Sequence, residues 1–270
     1  MDIEPDYSPV KSGVRRYALL DDERKFLEFI ELLNTLDIPL TCFVVSESLR
    51  DRPDAIAELE RNGAEFACHS MSHDLFQVGS EREVRGGIEG FTDFFGHRPF
   101  AYRTPQARLN RSILQILERE QVWCDSSIVP SYRPGVYSNL HSPVQPFRWQ
   151  SSKIVEIPIG VLPRLRIPVS LSYLKLLGPW AWGTLSRICG LPNPLVFLSH
   201  PMDFEYSSDA LATLSHSMRF AYLRNQERSL ELFRLFIQRL NAAGYTLMPM
   251  SKVFESISRR TLPQVPLPRH

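Results

Sequence analysis

Two histidines four residues apart, His69 and His73 in the run HSMSH, carry the donor atoms of a metal site. An H-x-x-x-H spacing sets both imidazoles on one side of a helical turn, which suits two bonds to one ion. Position 70 is serine, so the glutamate base of the H-E-x-x-H metalloprotease motif is missing and that chemistry is set aside. Asp2 and Glu4 stand two apart, and in an extended segment they face the same side. One carboxylate with two histidines makes a three-ligand set with room for water, the open arrangement of catalytic zinc, and a second carboxylate is left to act as base. Arg103 (in RTP), Asp125 (in DSS) and His200 (in LSHP) complete the set of residues that could do chemistry.

Each of these has an ordinary reading when taken alone. A lone His200 reads as a turn residue, Arg103 as a surface ion pair of little energetic value, and Asp125 before two serines as an Asx turn. Their joint placement is harder to explain by packing. Short apolar, β-branched or aromatic runs at residues 41–45, 65–68, 100–103, 122–125, 154–159, 195–199 and 246–248 read as buried strands. Helical patterns lie between most of them: 21–36, with Phe26, Phe29, Ile30 and Leu33 on one face, then 53–61, 82–95, 108–120, 170–189 and 225–243. Such alternation predicts a mainly parallel sheet covered by helices, as a barrel or an open sheet. His69, Arg103, Asp125 and His200 each close a predicted strand, and in parallel α/β folds function gathers at the carboxyl ends of strands.

The 270-residue length fits one barrel domain of roughly 250 residues. Hydrophobic residues at 43% and charged residues at 23% exclude a disordered chain. With 31 basic and 30 acidic residues there is no electrostatic case for nucleic acid. Cys42, Cys68, Cys124 and Cys189 lie far apart with no C-x-x-C pair, and they read as reduced core cysteines. The apolar stretch 171–191 is interrupted by Lys175, Pro179 and Arg187, so no transmembrane segment is expected. Its Trp180 and Trp182 read foremost as core, with sugar stacking or peripheral membrane contact as the competing role. The acidic, polar start MDIEPDY shows no signal peptide, which leads to a cytoplasmic expectation. Residues 1–258 read as a single domain and the Pro-rich 259–270 as a loosely held tail.

The ordered set D-x-E, H-S-x-x-H, R-x-P, D-S-S and L-S-H-P resembles the polysaccharide deacetylases of the NodB-homology type, carbohydrate esterase family 4, over nearly the whole chain. The resemblance implies an α/β fold, a deformed (β/α)7-type barrel, and hydrolytic removal of N-acetyl groups from a sugar or polysaccharide. By matching position it implies Asp2 as base, Glu4, His69 and His73 as metal ligands, and Arg103 as the holder of the base. It further implies Asp125 as an acidic tether of other catalytic groups and His200 as general acid. The implied cofactor is a divalent metal, Zn²⁺ foremost, with Co²⁺, Ni²⁺ and Fe²⁺ as alternatives for the same donors. The implied partner is an N-acetylated sugar or glycan. No covalent intermediate is required, and no G-x-S-x-G nucleophile motif is present.

Three departures from the family pattern bear on this. D-I-E-P-D-Y replaces the usual adjacent aspartates, so the carboxylate ligand is one methylene longer. The first strand, which should contain Asp2, is short or truncated. Gln106 stands where many relatives carry glycine or an aromatic residue, which would alter the substrate groove. Two other readings compete: a metal-free hydrolase of a small cyclic or linear amide on the same fold, and a non-catalytic carbohydrate-binding relative.

Overall fold

The computed structural model describes residues 1–6, 15–207, 211–212 and 214–268. Strands β1 (Asp2–Ile3), β2 (Thr41–Val44), β3 (Glu65–Cys68), β4 (Ala101–Tyr102) and β5 (Cys124–Asp125) pair in parallel, each with the next in sequence. Helices intervene: α1 (Glu23–Thr35), α2 (Ser46–Asp51), α3 (Pro53–Arg61), α4 (Glu81–Phe95) and α5 (Arg111–Arg119). The strands are short because each is buried on both sides and soon runs into a loop; Cys42, Phe43, Val44, Ala67, Cys68, Ala101 and Cys124 are all solvent-inaccessible or nearly so. Phe26, Phe29, Ile30 and Leu33 are the buried face of α1, as their spacing predicts. Its start is set by Asp22, whose side chain accepts from the Lys25 amide at 3.0 Å.

Beyond β5 the chain makes a small antiparallel hairpin, β6 (Tyr132–Arg133) and β7 (Tyr137–Ser138), then β8 (Phe147–Trp149) and β9 (Val155–Glu156). β9 is parallel to β5, and β8 is antiparallel to β9 on its outer side. The barrel then closes through isolated hydrogen bonds rather than a regular ladder. Gly160 donates to Val196 at 2.9 Å, Ser170 bridges Leu198, and Asp2 donates to Ser199 at 2.8 Å. Residues 195–199, expected as a full strand, are therefore extended chain with few ladder contacts, between prolines at 194 and 201 that lack the amide a ladder needs. β1 is only two residues long, yet it is tied on both sides, to β2 and to Ser199. The structure thus shows an α/β fold with a mostly parallel, distorted barrel.

The remaining helices are α6 (Leu171–Cys189), α7 (Pro201–Phe204), α8 (His216–Leu223), α9 (Ser229–Ala242) and α10 (Met250–Ser258). α6 breaks at Gly178–Pro179, where Gly178 has φ 77°. Among the described residues no helix is long and apolar enough to cross a membrane. The two tryptophans divide: Trp182 is buried against Phe236, whereas Trp180 is 82% exposed. All four cysteines are free and buried. Residues 246–248, expected as a strand, form none; they line a lower cavity before Pro249 caps α10. The tail is not loose throughout, since β10 (Gln264–Val265) pairs in parallel with Arg148 and Trp149 and so extends the sheet beyond β8.

Candidate active site

The carboxyl ends of β1, β3 and β4 and the end of the 195–199 segment converge on one cavity of about 320 Å³, lined among others by Asp2, Glu4, His69, Arg103 and His200. Asp2 is on β1, and Glu4 follows it with the same facing. Both are buried, Asp2 at 4% and Glu4 at 1% exposure. Glu4 Oε2 lies 3.2 Å from His69 Nε2 and 2.7 Å from His73 Nε2. One ligand atom from each of Glu4, His69 and His73 falls within 4.8 Å of the others. His69 Nδ1 is 2.8 Å from the Arg103 carbonyl, an acceptor only, so this nitrogen carries a proton, and Nε2 is the ring atom turned to Glu4.

HSMSH is not the helical turn its spacing suggested. It is a bend with left-handed backbone at Ser70 (φ 73°) and His73 (φ 62°). Two helices grip it. Ser70 O accepts from the Ser46 amide at the start of α2, and the Met71 and Ser72 amides donate to the Glu83 carbonyl and carboxylate on α4. Gly87 lets α4 come this close, because a Cβ there would meet the Ser70 carbonyl carbon at 2.5 Å. The histidines therefore meet through tertiary contacts that replace a helical turn.

Arg103 sits in the barrel interior with its charge fully used. Nε donates to the Ser126 carbonyl at 2.8 Å, Nη2 to Ser126 Oγ at 2.9 Å, and Nη1 to Asp2 Oδ1. The guanidinium also lies over the Phe43 ring, 3.9 Å from its centre. Burial would raise the Asp2 carboxyl, but Arg103, with His69 and His200, holds it below its usual value and so ionised. Burial likewise opposes ionisation of Glu4, and the two histidines hold it well below the usual range.

His200 precedes α7 as its N-cap. Its Nε2 is 3.9 Å from Asp2 Oδ2, and its Nδ1 is 3.2 Å from Asp203 Oδ2. Burial alone would lower this imidazole, yet the Asp203 hydrogen bond and the charges of Glu4, Asp203 and Asp2 lift it to about 9. Asp203 is held in turn by Ser172 and lies beside the buried Lys175 ammonium, which donates to its backbone carbonyl at 2.8 Å.

Asp125 does not take the tethering place expected of it. Its carboxyl accepts from Ser127 Oγ at 2.8 Å and meets the Glu156 carboxyl across the β5–β9 pair. Burial of the two together raises both carboxyls above their usual values. Successive strand residues face opposite ways, and in D-S-S it is Ser126 that reaches Arg103. Sequence reasoning missed Asp203. Its signal was readable: a residue able to cap, a proline, and an acid three positions after the cap, in H-P-M-D. Gln106 lines the cavity, as its place after RTP suggested, with left-handed backbone at φ 53°. Trp180 does not line it; Tyr173 and Leu176 of α6 do.

Residues 21–122 match the family model described as polysaccharide deacetylase. The motif resemblance is thereby supported over that part of the chain. A chitooligosaccharide deacetylase of Sinorhizobium fredii is 28% identical over 140 residues, 52% of this chain; the match spans 60% of that relative's length. Among solved structures, a candidate polysaccharide deacetylase from Mycobacterium smegmatis superposes with a TM-score of 0.62 at 18% identity, covering 91% of this chain and 80% of that one. A carbohydrate esterase family 4 pseudoenzyme from Bacillus anthracis gives 0.52 at 12% identity, covering 91% and 65%. At these identities the two structures show the shared fold alone.

Proposed function

We propose that this chain is a metal-dependent hydrolase that removes N-acetyl groups from an amino sugar or its oligomers. The observation that carries the reading is the convergence on one cavity of a Glu–His–His triad, an ionised carboxylate clamped by arginine, and a protonated histidine clamped by aspartate. The named relatives, which are deacetylases of polysaccharide or chitooligosaccharide, support the substrate class.

The triad fits a divalent cation by an observation independent of kinship. Glu4 Oε1 is buried and has no hydrogen-bond partner among the described residues. A buried, unsatisfied carboxylate oxygen is costly, and a cation held by Glu4, His69 and His73 would remove that cost. Such donors suit Zn²⁺ and also Co²⁺, Ni²⁺ or Fe²⁺. When bound, the ion supplies Lewis-acid polarisation of the acyl carbonyl and of the attacking water.

Asp2, kept ionised by Arg103, accepts the proton that the water loses as its oxygen adds to the carbonyl carbon. His200, kept protonated by Asp203, delivers a proton to the amide nitrogen as the C–N bond breaks, so that amine and acetate leave. Each positioned proton transfer is worth roughly 10²–10⁴ in rate. Asp125, with its carboxyl spent on Ser127 and Glu156, has no place in these steps.

The test is release of acetate from chitooligosaccharides by metal-loaded protein, beside a His69→Ala/His73→Ala variant. Turnover with about one metal per chain in the parent, and neither in the variant, is the expected result. Equal turnover with and without metal would favour the metal-free amide hydrolase; saturable sugar binding without turnover would favour a non-catalytic relative.

A further inference from the structure

The lining of the cavity carries a charge that the proposed chemistry does not use. Arg133 and Tyr137 are directly opposite in the β6–β7 pairing, so their side chains share one face of the hairpin, and both line the cavity. From the other side α8 contributes Tyr222, which is close enough to feel the Arg133 charge. Tyr173 of α6 lines the cavity as well.

Among the described residues two arginines line the cavity, and they are in opposite states. Arg103 is buried and neutralised by Asp2. Arg133 is exposed at the rim, and among the described residues no carboxylate is within salt-bridge distance of it. Its planar fork can hold two oxygens of a phosphate or carboxylate side by side. The hairpin pairing sets Arg133 beside Tyr137, and Tyr137, Tyr173 and Tyr222 all line the cavity, so apolar ring surface is at hand for a pyranose. A neutral N-acetyl sugar would leave this cation facing it without a partner.

We propose that the cavity takes an acylated amino sugar that also bears an oxyanion, a phosphate or a carboxylate, and that Arg133 is the residue that selects it. This deepens the deacetylase reading and rests on it. The test compares KM for N-acetylglucosamine, its 1-phosphate and N-acetylmuramic acid, in the parent protein and in Arg133→Gln and Arg133→Lys. At least one anionic probe should have a KM about tenfold below the neutral one; Arg133→Gln should bring that ratio to about one, and Arg133→Lys should keep part of it. Which of the two anionic probes shows the advantage tells phosphate from carboxylate. The advantage should also shrink in about 1 M salt, where the screening length is near 3 Å. Equal KM for all three probes in the parent, or an equal rise for neutral and anionic probes in Arg133→Gln, would overturn the assignment. If no probe is turned over, the deacetylase reading fails and calorimetric binding decides for Arg133 separately. Binding of the phosphate probe that is lost in Arg133→Gln supports the subsite, and absent or unaltered binding overturns it.

Discussion

Asp203 Oδ2 takes two hydrogen bonds from His200, one from its backbone amide at 2.9 Å and one from its ring Nδ1 at 3.2 Å. A single carboxylate oxygen thus caps the first turn of α7 and fixes the orientation of the imidazole. The ring's other nitrogen is left turned toward Asp2, which is the geometry a proton donor beside a base requires.

Because Asp203 holds the His200 imidazolium, activity should fall as the pH rises through about 9, where this group loses its proton. The sign for stability agrees. A histidine raised from 6.5 to about 9 contributes stability that is fully present below 6.5 and lost as the pH climbs through 9. Asp203→Asn should move the alkaline limb of the kcat profile to lower pH and cut kcat on the order of tenfold to a hundredfold. A pH–rate series on both proteins checks this; an unmoved limb would remove Asp203 from the role.

Arg103 and Asp2 form a pair of which neither side chain is more than 6% exposed. Arg103→Met leaves the Asp2 charge buried without its partner and should cost about 3–5 kcal/mol of stability. The double variant Arg103→Met/Asp2→Asn should recover part of that loss, since no bare charge remains. Urea midpoints of the three proteins measure both effects.

Metal binding to Glu4, His69 and His73 should raise the melting temperature, because the folded chain alone assembles the triad. Saturation at about a hundred times the dissociation constant corresponds to about 2.7 kcal/mol. Adding Zn²⁺ to chelator-treated protein should shift the transition upward in the parent, less in Glu4→Gln, and not at all in His69→Ala/His73→Ala. Calorimetric scans read the shift directly.

Gly87→Ala should weaken the metal site without touching a ligand. The new methyl would meet the Ser70 carbonyl carbon at 2.5 Å and the Met71 amide at 2.8 Å, both backbone atoms that cannot swing aside. Pushing α4 from the bend should cost about 1–3 kcal/mol and lower metal affinity. Gly96→Ala, where no atom lies within 4 Å of the new methyl but φ is 74°, should cost about 1 kcal/mol through backbone strain and leave metal affinity alone. Titration of metal into both variants separates the two effects.

Much of this was readable in the chain itself. The periodic faces of α1 and α3 and the runs of β2 and β3 follow from local apolar spacing, and they lie where that spacing put them. So do His69 and Arg103 at strand ends, because strand ends are where a buried run gives way to polar residues. The 195–199 and 246–248 segments have strand-like composition and are not regular strands. A strand needs a partner edge along its whole length, and composition carries no information about that edge. Asp125 and Ser126 show the same limit one residue at a time. D-S-S marks a place where polar side chains enter the core, but which of them meets Arg103 is decided by the pleat and by the register of β5 against β9.

The sequence by itself determined the alternating α/β order, the residue types that stand at the strand ends and their resemblance to the polysaccharide deacetylases, because these depend on residue type and short spacing. Only the tertiary structure decided that Glu4 meets two histidines more than sixty residues away, that a bend pressed against Gly87 replaces a helical turn, that Asp203 and not Asp125 braces His200, and that Arg133 faces the cavity. Contacts between distant residues exist only after the barrel closes, and closure is set by the summed packing of every layer rather than by any local pattern.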